Sequence, residues 1–332
     1  MMTRVCLFRG VVRTWRVFAL LGMGLITMFR PQDAAGQSVT QTFNLRAGWN
    51  SIWLEVAPAD PRPAVLFAGR PIESVWTFRG RPSAADFIQN VNEPVWNRER
   101  WLVFVPTNKV EALNNDLYGV QVNRAYLINA TAPFTLSVAG RPSLRIPGWE
   151  PDNFNLRGFP VDPARPPTFQ NFFRNSSAHF DASLQRLERF FRLNASGVWS
   201  QVSGAEVIQP GEAYWAFSRG ASDFIAPIVP DLLVGDGLDF GQATERISLE
   251  IRNGSTSPAT AEVRDLSSAK LLSTAYFSPS NGVEWAVLTN TRRQSIAGSG
   301  RIRWDFGIRR AAMTGSNHAT TVELTDGAGT RI

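Results

Sequence analysis

Apolar and polar residues alternate with a period of two along much of the chain, in short runs separated by glycine, proline and asparagine. Phe134, Leu136 and Val138 alternate with Thr135 and Ser137, and Ile247, Leu249 and Ile251 alternate with Ser248 and Glu250. Between Arg301 and Arg309, Ile302, Trp304, Phe306 and Ile308 take one side, and Arg301, Arg303, Asp305 and Arg309 take the other. That is the pattern of a half-buried antiparallel strand. Further strands are predicted at 224–228, 261–266, 284–288 and 321–325. The stretch 101–105 (WLVFV) is continuously apolar and ends at Pro106, so both of its faces should be covered. Helices are confined to one or two turns, at 63–67, 84–89, 110–117, 168–173 and 183–191. With 21 Pro and 26 Gly, longer helices have little room. The pattern predicts an all-β protein with few short helices.

The N-terminus breaks this pattern. Arg4, Arg9, Arg13 and Arg16 form a positive segment, followed by the uncharged apolar stretch Val17–Phe29 and small residues at Ala34 and Gly36. Thirteen apolar residues are too few to span a bilayer, which needs about 20, and suit the core of a signal peptide. Residues 1–36 therefore read as an export signal, cleaved between Gly36 and Gln37, with membrane contact only during export. This changes the picture given by charge. The chain holds 34 Lys+Arg and 28 Asp+Glu, a net +6, but the leader carries five Arg and one Asp. The remainder has 29 basic and 27 acidic residues, scattered rather than clustered on one segment, so nucleic-acid binding is not expected. The single Cys, Cys6, leaves with the leader, so packing must stabilise the mature chain without disulfides.

An internal repeat divides the rest. Phe43-Asn44-Leu45-Arg46-Ala47-Gly48-Trp49 is echoed by Phe154-Asn155-Leu156-Arg157-Gly158-Phe159-Pro160. The tail Asn123-Arg124-Ala125-Tyr126-Leu127-Ile128 is echoed by Gly211-Glu212-Ala213-Tyr214-Trp215-Ala216. Each tail precedes a short apolar strand, 134–138 and 224–228. Two related β-modules are expected at 37–147 and 148–234. The turn-rich stretch 227–237 leads to a third unit, 235–332, whose strand spacing suggests a β-sandwich. Its last hairpin stops three residues into the second arm, which reads as an incomplete edge.

The segment 47–56 (AGWNSIWLEV) resembles the "GWN" head of modules in uncharacterised bacterial secreted proteins. In these, a second copy like 155–161 is followed by a tail like Pro210–Trp215. The resemblance spans nearly all of 43–230 and carries no chemistry. Leu238-Asp239-Phe240-Gly241 with Leu249–Asn253 resembles the start of an immunoglobulin-like domain of the Hydin type. The resemblance implies the front part of a larger surface protein, because such proteins often continue into a laminin-G-like lectin domain.

Catalytic signatures are missing. No G-x-S-x-G elbow, H-E-x-x-H motif or P-loop occurs, and one Cys with two His excludes a Cys/His metal cluster. Ser176, His179 and Asp181 lie within six residues and read as a polar loop, since functional triads are assembled from separated elements. His318 reads as another loop residue. Asp231, Asp236 and Asp239 match no calcium loop and read as a solvated turn. Neither cofactor nor metal is expected, and the chain reads as a non-enzyme.

Aromatic residues supply the one suggestive feature. In the first strand, Ile52, Leu54 and Val56 make one face and Trp49, Ser51, Trp53 and Glu55 the other. Exposed, Trp49 and Trp53 could stack on sugar rings, and Trp96 and Trp101 invite the same reading. Covered by the second module, they would be core. Two functions follow: an exported structural or adhesion protein of the cell surface or extracellular space, or a carbohydrate-binding protein using these tryptophans. The corresponding partners are another surface protein or a polysaccharide.

Overall fold

The computed structural model describes residues 38–79, 101–232, 235, 237–289, 291–313 and 318–332. Its first part contains β1 (Val39–Leu45), β2 (Gly48–Leu54), β3 (Val56–Pro58), α1 (Pro63–Leu66), β4 (Ile72–Phe78), β5 (Trp101–Phe104), β6 (Arg124–Ala130) and β7 (Phe134–Pro142). All pairings are antiparallel, giving one sheet ordered β1-β7-β3 and another ordered β2-β6-β4-β5. Alternation sends Phe43, Leu45, Leu136 and Val138 from the first sheet against Ile52, Leu54, Val75, Tyr126 and Ile128 from the second. Each such side chain contributes about 1.5–3 kcal/mol by leaving water. Pro63 begins α1, where its missing N–H costs nothing, and Gly69 in the left-handed region follows its end.

The second part contains β8 (Asn153–Arg157), α2 (Phe169–Phe173), β9 (Phe180–Asp181), β10 (Arg186–Leu187), β11 (Phe190–Leu193), β12 (Trp199–Gln201) and β13 (Tyr214–Ser218). The main sheet runs β12-β11-β13-β8, and β9 pairs β10. Thr168 caps α2 by accepting a bond from the Asn171 amide at 3.3 Å. That places Phe169, Phe172 and Phe173 over one face of the sheet, against Phe159, Phe190 and Tyr214, with ring centroids as close as 4.8 Å. The helix expected at 183–191 is not formed. The Asp181 carboxylate binds the amides of Ser183 and Leu184, Gln185 turns at φ +48°, and the chain doubles back into β10 and β11. A side chain that captures backbone donors in a turn competes with the helix.

The third part contains β14 (Ile228–Asp231), β15 (Arg246–Asn253), β16 (Ala259–Asp265), β17 (Leu272–Ser278), β18 (Gly282–Val287), β19 (Arg292–Ile296), β20 (Arg301–Ile308) and β21 (Val322–Thr325). Sheets ordered β14-β15-β20-β17-β18 and β19-β16-β21 enclose Leu249, Ile251, Val263, Leu272, Trp304 and Phe306. Trp304 is fully buried and donates across the sandwich to Gln294 Oε1 at 2.7 Å. The strand expected at 224–228 differs: only Ile228 enters β14, which pairs with β15, so that strand belongs to the third part. Thr330–Ile332 also finds partners. Leu324 and Ile332 exchange backbone bonds at 2.8 and 2.9 Å, while Arg331 donates to Pro160 O at 3.1 Å. The last hairpin thus ties the third part to the second.

Candidate functional site

The face carrying Trp49, Ser51 and Trp53 is covered. It packs against the side of the β12-β11-β13-β8 sheet that turns away from α2. Trp49 is 8% and Trp53 3% exposed, in clusters shared with Leu127, Phe154, Leu193, Trp199, Trp215 and Phe217, and with Ala125 and Ala213. Trp101 is half-buried in β5, edge-on to Phe78 at 5.1 Å and to Trp215 at 6.5 Å. Backbone bonds reinforce the contact: Trp53 N donates to Gly211 O at 2.7 Å, Trp49 N donates to Ala195 O at 3.1 Å, and Ser51 Oγ donates to Ala213 O at 2.8 Å. Stacking on a sugar requires an indole face open to solvent, so Trp49 and Trp53 cannot serve as the glycan-binding residues expected above. Trp101 spends its ring on protein neighbours. Trp96, Gly36 and Gln37 lie outside the described residues. The covering face escaped the sequence reading, although its signal was there: 213–217 (AYWAF) is continuously apolar, as a strand buried on both faces must be.

The head and tail strings of the repeat make matching hydrogen bonds in the two parts. Asn50 accepts from Arg46 N and donates to Arg46 O and Gly48 O; Asn155 accepts from Glu150 N and donates to Glu150 O and Asn153 O. The Tyr126 hydroxyl accepts from Gln121 N at 2.6 Å, and the Tyr214 hydroxyl accepts from Gln209 N at 2.9 Å. Asn123 and Gly211, three residues before each Tyr, both adopt positive φ. The pairing also corrects the register of the heads. Tyr126 lies opposite Ile52 and Tyr214 opposite Arg157, so Phe154-Asn155 stands where Trp49-Asn50 does, not where Phe43-Asn44 does.

Ser176 and His179 are buried rather than in an open polar loop. The Ser176 hydroxyl lies 2.6 Å from His179 Nδ1, and His179 has no exposed surface. The geometry is not that of a triad. Asp181 turns away to Ser183 and Arg219, so no carboxylate orients the ring. Burial, and then the positive charge of Arg157, push the imidazole down to about 3, so it stays neutral and is a poor base. Arg157 is itself buried, stacked 4.0 Å over the Trp149 ring, which lies 4.0 Å from His179. It donates from Nη1 to Pro147 O at 3.2 Å, and burial lowers its guanidinium to about 9. This stack clamps residues 147–149, the lead-in to β8, onto the aromatic core.

The carboxylates near one another are also engaged. Glu206 and Glu212 both bind Arg192, at 3.0 and 3.1 Å, and Glu212 accepts from the Tyr214 hydroxyl at 2.5 Å. Glu55 lies 3.6 Å from Arg331, and burial raises its carboxyl to about 7, outweighing that arginine. Asp231 is exposed on β14, Asp239 binds the Gly241 amide, and Asp236 lies outside the described residues. His318 is exposed. Among the described residues, no group of three or more His, Cys, Asp or Glu is placed to hold a metal ion, and no helix is long and apolar enough to cross a membrane.

A shallow depression of about 300 Å³ opens beside β17 and β18, lined by Thr274, Tyr276, Ala286, Leu288, Thr291 and Arg292. Its hairpin leaves Phe277 74% and Val283 67% exposed, the most solvent-facing apolar pair among the described residues of the third part. Compared with known proteins, the chain matches no family model, no curated protein and no solved structure.

Proposed function

We propose that this chain is an exported, non-catalytic structural or adhesion protein, built from two related β-modules and an immunoglobulin-like sandwich. The observation that carries the reading is the burial of Trp49 and Trp53 between the first two parts. A tryptophan row kept for ligand would face solvent, whereas here it joins two sheets into one body. The matching bonds of Asn50 with Asn155 and of Tyr126 with Tyr214 support common descent of the two modules. The order β14-β15-β20-β17, facing β16 and β21, supports the immunoglobulin-like assignment of the third. A body with three β-cores and seams made of side chains and backbone bonds suits a spacer that holds a fixed shape.

Two measurements test this. N-terminal sequencing of the protein recovered outside the cell should begin at Gln37; recovery inside the cell with Met1 retained overturns export. Incubation with a broad panel of glycosides and peptides should yield no turnover, and steady product formation overturns the non-catalytic reading.

A further inference from the structure

The third part manages three of its four sheet edges. On β14, Pro230 removes a backbone donor and Asp231 adds a charge. β19 begins with Arg292 and Arg293, and β21 is covered by Thr330–Ile332. These are the usual ways of keeping an edge from recruiting a strand. β18 has none of them. Its sequence, Gly282-Val-Glu-Trp-Ala-Val287, lacks proline, lysine and arginine, and among the described residues no strand pairs with its outer side. Its one charge, Glu284, is tied within the hairpin to the Tyr276 hydroxyl and to Asn281 Nδ2.

The backbone groups that face outward can be identified. Leu288 N donates to Leu272 O, and the register pairs Thr274 with Ala286 and Tyr276 with Glu284. Antiparallel ladders alternate, so Glu284 and Ala286 spend their backbone groups on β17, while Val283, Trp285 and Val287 point theirs outward, the Val287 carbonyl also accepting from Thr289 N at 2.8 Å and keeping its second lone pair for the partner. The same three side chains share one face, where the Trp285 ring lies over Gly307, at whose Cβ position its atoms would be 3.0 Å away, and under Arg246 at 4.9 Å.

We propose that two copies of this chain pair their β18 strands antiparallel about a two-fold axis at Trp285. In that register Val283 lies opposite Val287 of the partner subunit, and Trp285 lies opposite Trp285 of the partner subunit, each pair exchanging both backbone bonds. Glu284 then faces Ala286 of the partner subunit, so like charges do not meet. A shift that sets Val283 opposite Trp285 of the partner subunit would bring the two Glu284 residues together. Charge thus disfavours that shift, and in the proposed register the two five-stranded sheets become continuous across the axis. The contact is limited to one hairpin from each copy, so dissociation is expected on the order of 10 µM.

Sedimentation equilibrium of the full chain tests the proposal, with substitutions at the exposed Ala286. Ala286→Glu sets two carboxylates opposite each other twice per dimer and should weaken association about tenfold. Ala286→Lys should strengthen it by a similar factor and make it salt-sensitive. The double variant Val283→Cys, Val287→Cys should give covalent dimers on mild oxidation. Within one strand these positions are too far apart to close, and the parent chain, which lacks both introduced cysteines, is the control. A chain that stays monomeric, a dimer indifferent to charge at 286, or cysteines that do not cross-link would each overturn the proposal. In the first case the edge is left for a strand of some other protein. Should Ala286→Glu fail to fold, the lysine and cysteine variants still decide.

Discussion

Gly158, the residue after β8, packs directly against Trp53 on the buried tryptophan face, and a single methyl group there probes that seam. A Cβ at 158 would sit 2.3 Å from Trp53 Cβ, 2.4 Å from Trp53 Cγ and 2.8 Å from the Glu212 carbonyl oxygen. The first and third of these do not move with a rotamer, so the side chain of Trp53 cannot swing clear. Carbon atoms pack at about 3.5–4.0 Å, so the sheets must part by about 1 Å, loosening Trp49, Trp53 and Trp215 together. Overpacking a well-filled core costs about 1–3 kcal/mol, and the loss of these large contacts places Gly158→Ala at the upper end. At about 2–4 °C per kcal/mol, Tm should fall by roughly 6–12 °C in scanning calorimetry. Gly148→Ala is the control, because a Cβ there meets nothing within 4 Å and the backbone is not left-handed. It should stay within about 0.5 kcal/mol of the parent or stabilise slightly. If both variants melt together near the parent, the two sheets are not in contact at this point and the structural role of the tryptophan face is wrong.

Glu55, held near 7 by burial, has a folded pKa above its unfolded 4.5, so its stabilising contribution is intact below 4.5 and lost as pH rises through 7. Glu55→Gln should therefore gain about 1–3 kcal/mol on the parent between acid and mildly alkaline pH in urea unfolding; parallel pH profiles would rule this out. His179 has the opposite sign. Its folded value, near 3, lies below its unfolded 6.5, so stability is lost as pH falls from 6.5 toward 3. His179→Phe should flatten that acid limb, which otherwise falls by about 1.4 kcal/mol per pH unit, and an unchanged slope would place the ring in water. Asn50→Ala and Asn155→Ala each break three bonds to a backbone turn, Asn50 also losing a longer one to Ile128 O at 3.4 Å, and each should cost about 2 kcal/mol in the same assay. Strongly unequal costs would show that the two asparagines do not play the same part.

Local pattern was enough for the class of fold and for most strands. The alternation at 301–309 appears in β20, with Trp304 and Phe306 fully buried, because a period of two leaves one face of a strand apolar whatever covers it. The repeat was legible as strings, yet its register was not. Similar letters aligned Phe43 with Phe154, whereas strand pairing puts Trp49 in that place, since register is set by what lies opposite in the sheet. The pattern at 183–191 suits a helix, yet the chain turns there, because the capture of two amides by Asp181 is a contact and not a periodicity.

What the chain alone determined, then, is an all-β polymer with an aromatic face on its first strand and no local catalytic signature. Whether that face was a binding surface or a seam depended on residues more than 100 positions away, and only the tertiary structure brought Gly158, Trp199 and Trp215 against it. The same holds for His179 and Arg157, whose burial comes from Trp149 and the phenylalanines of α2. Burial is a property of the assembled layers, and a strand buried on one face reads the same in sequence whether its other face meets water or a second sheet.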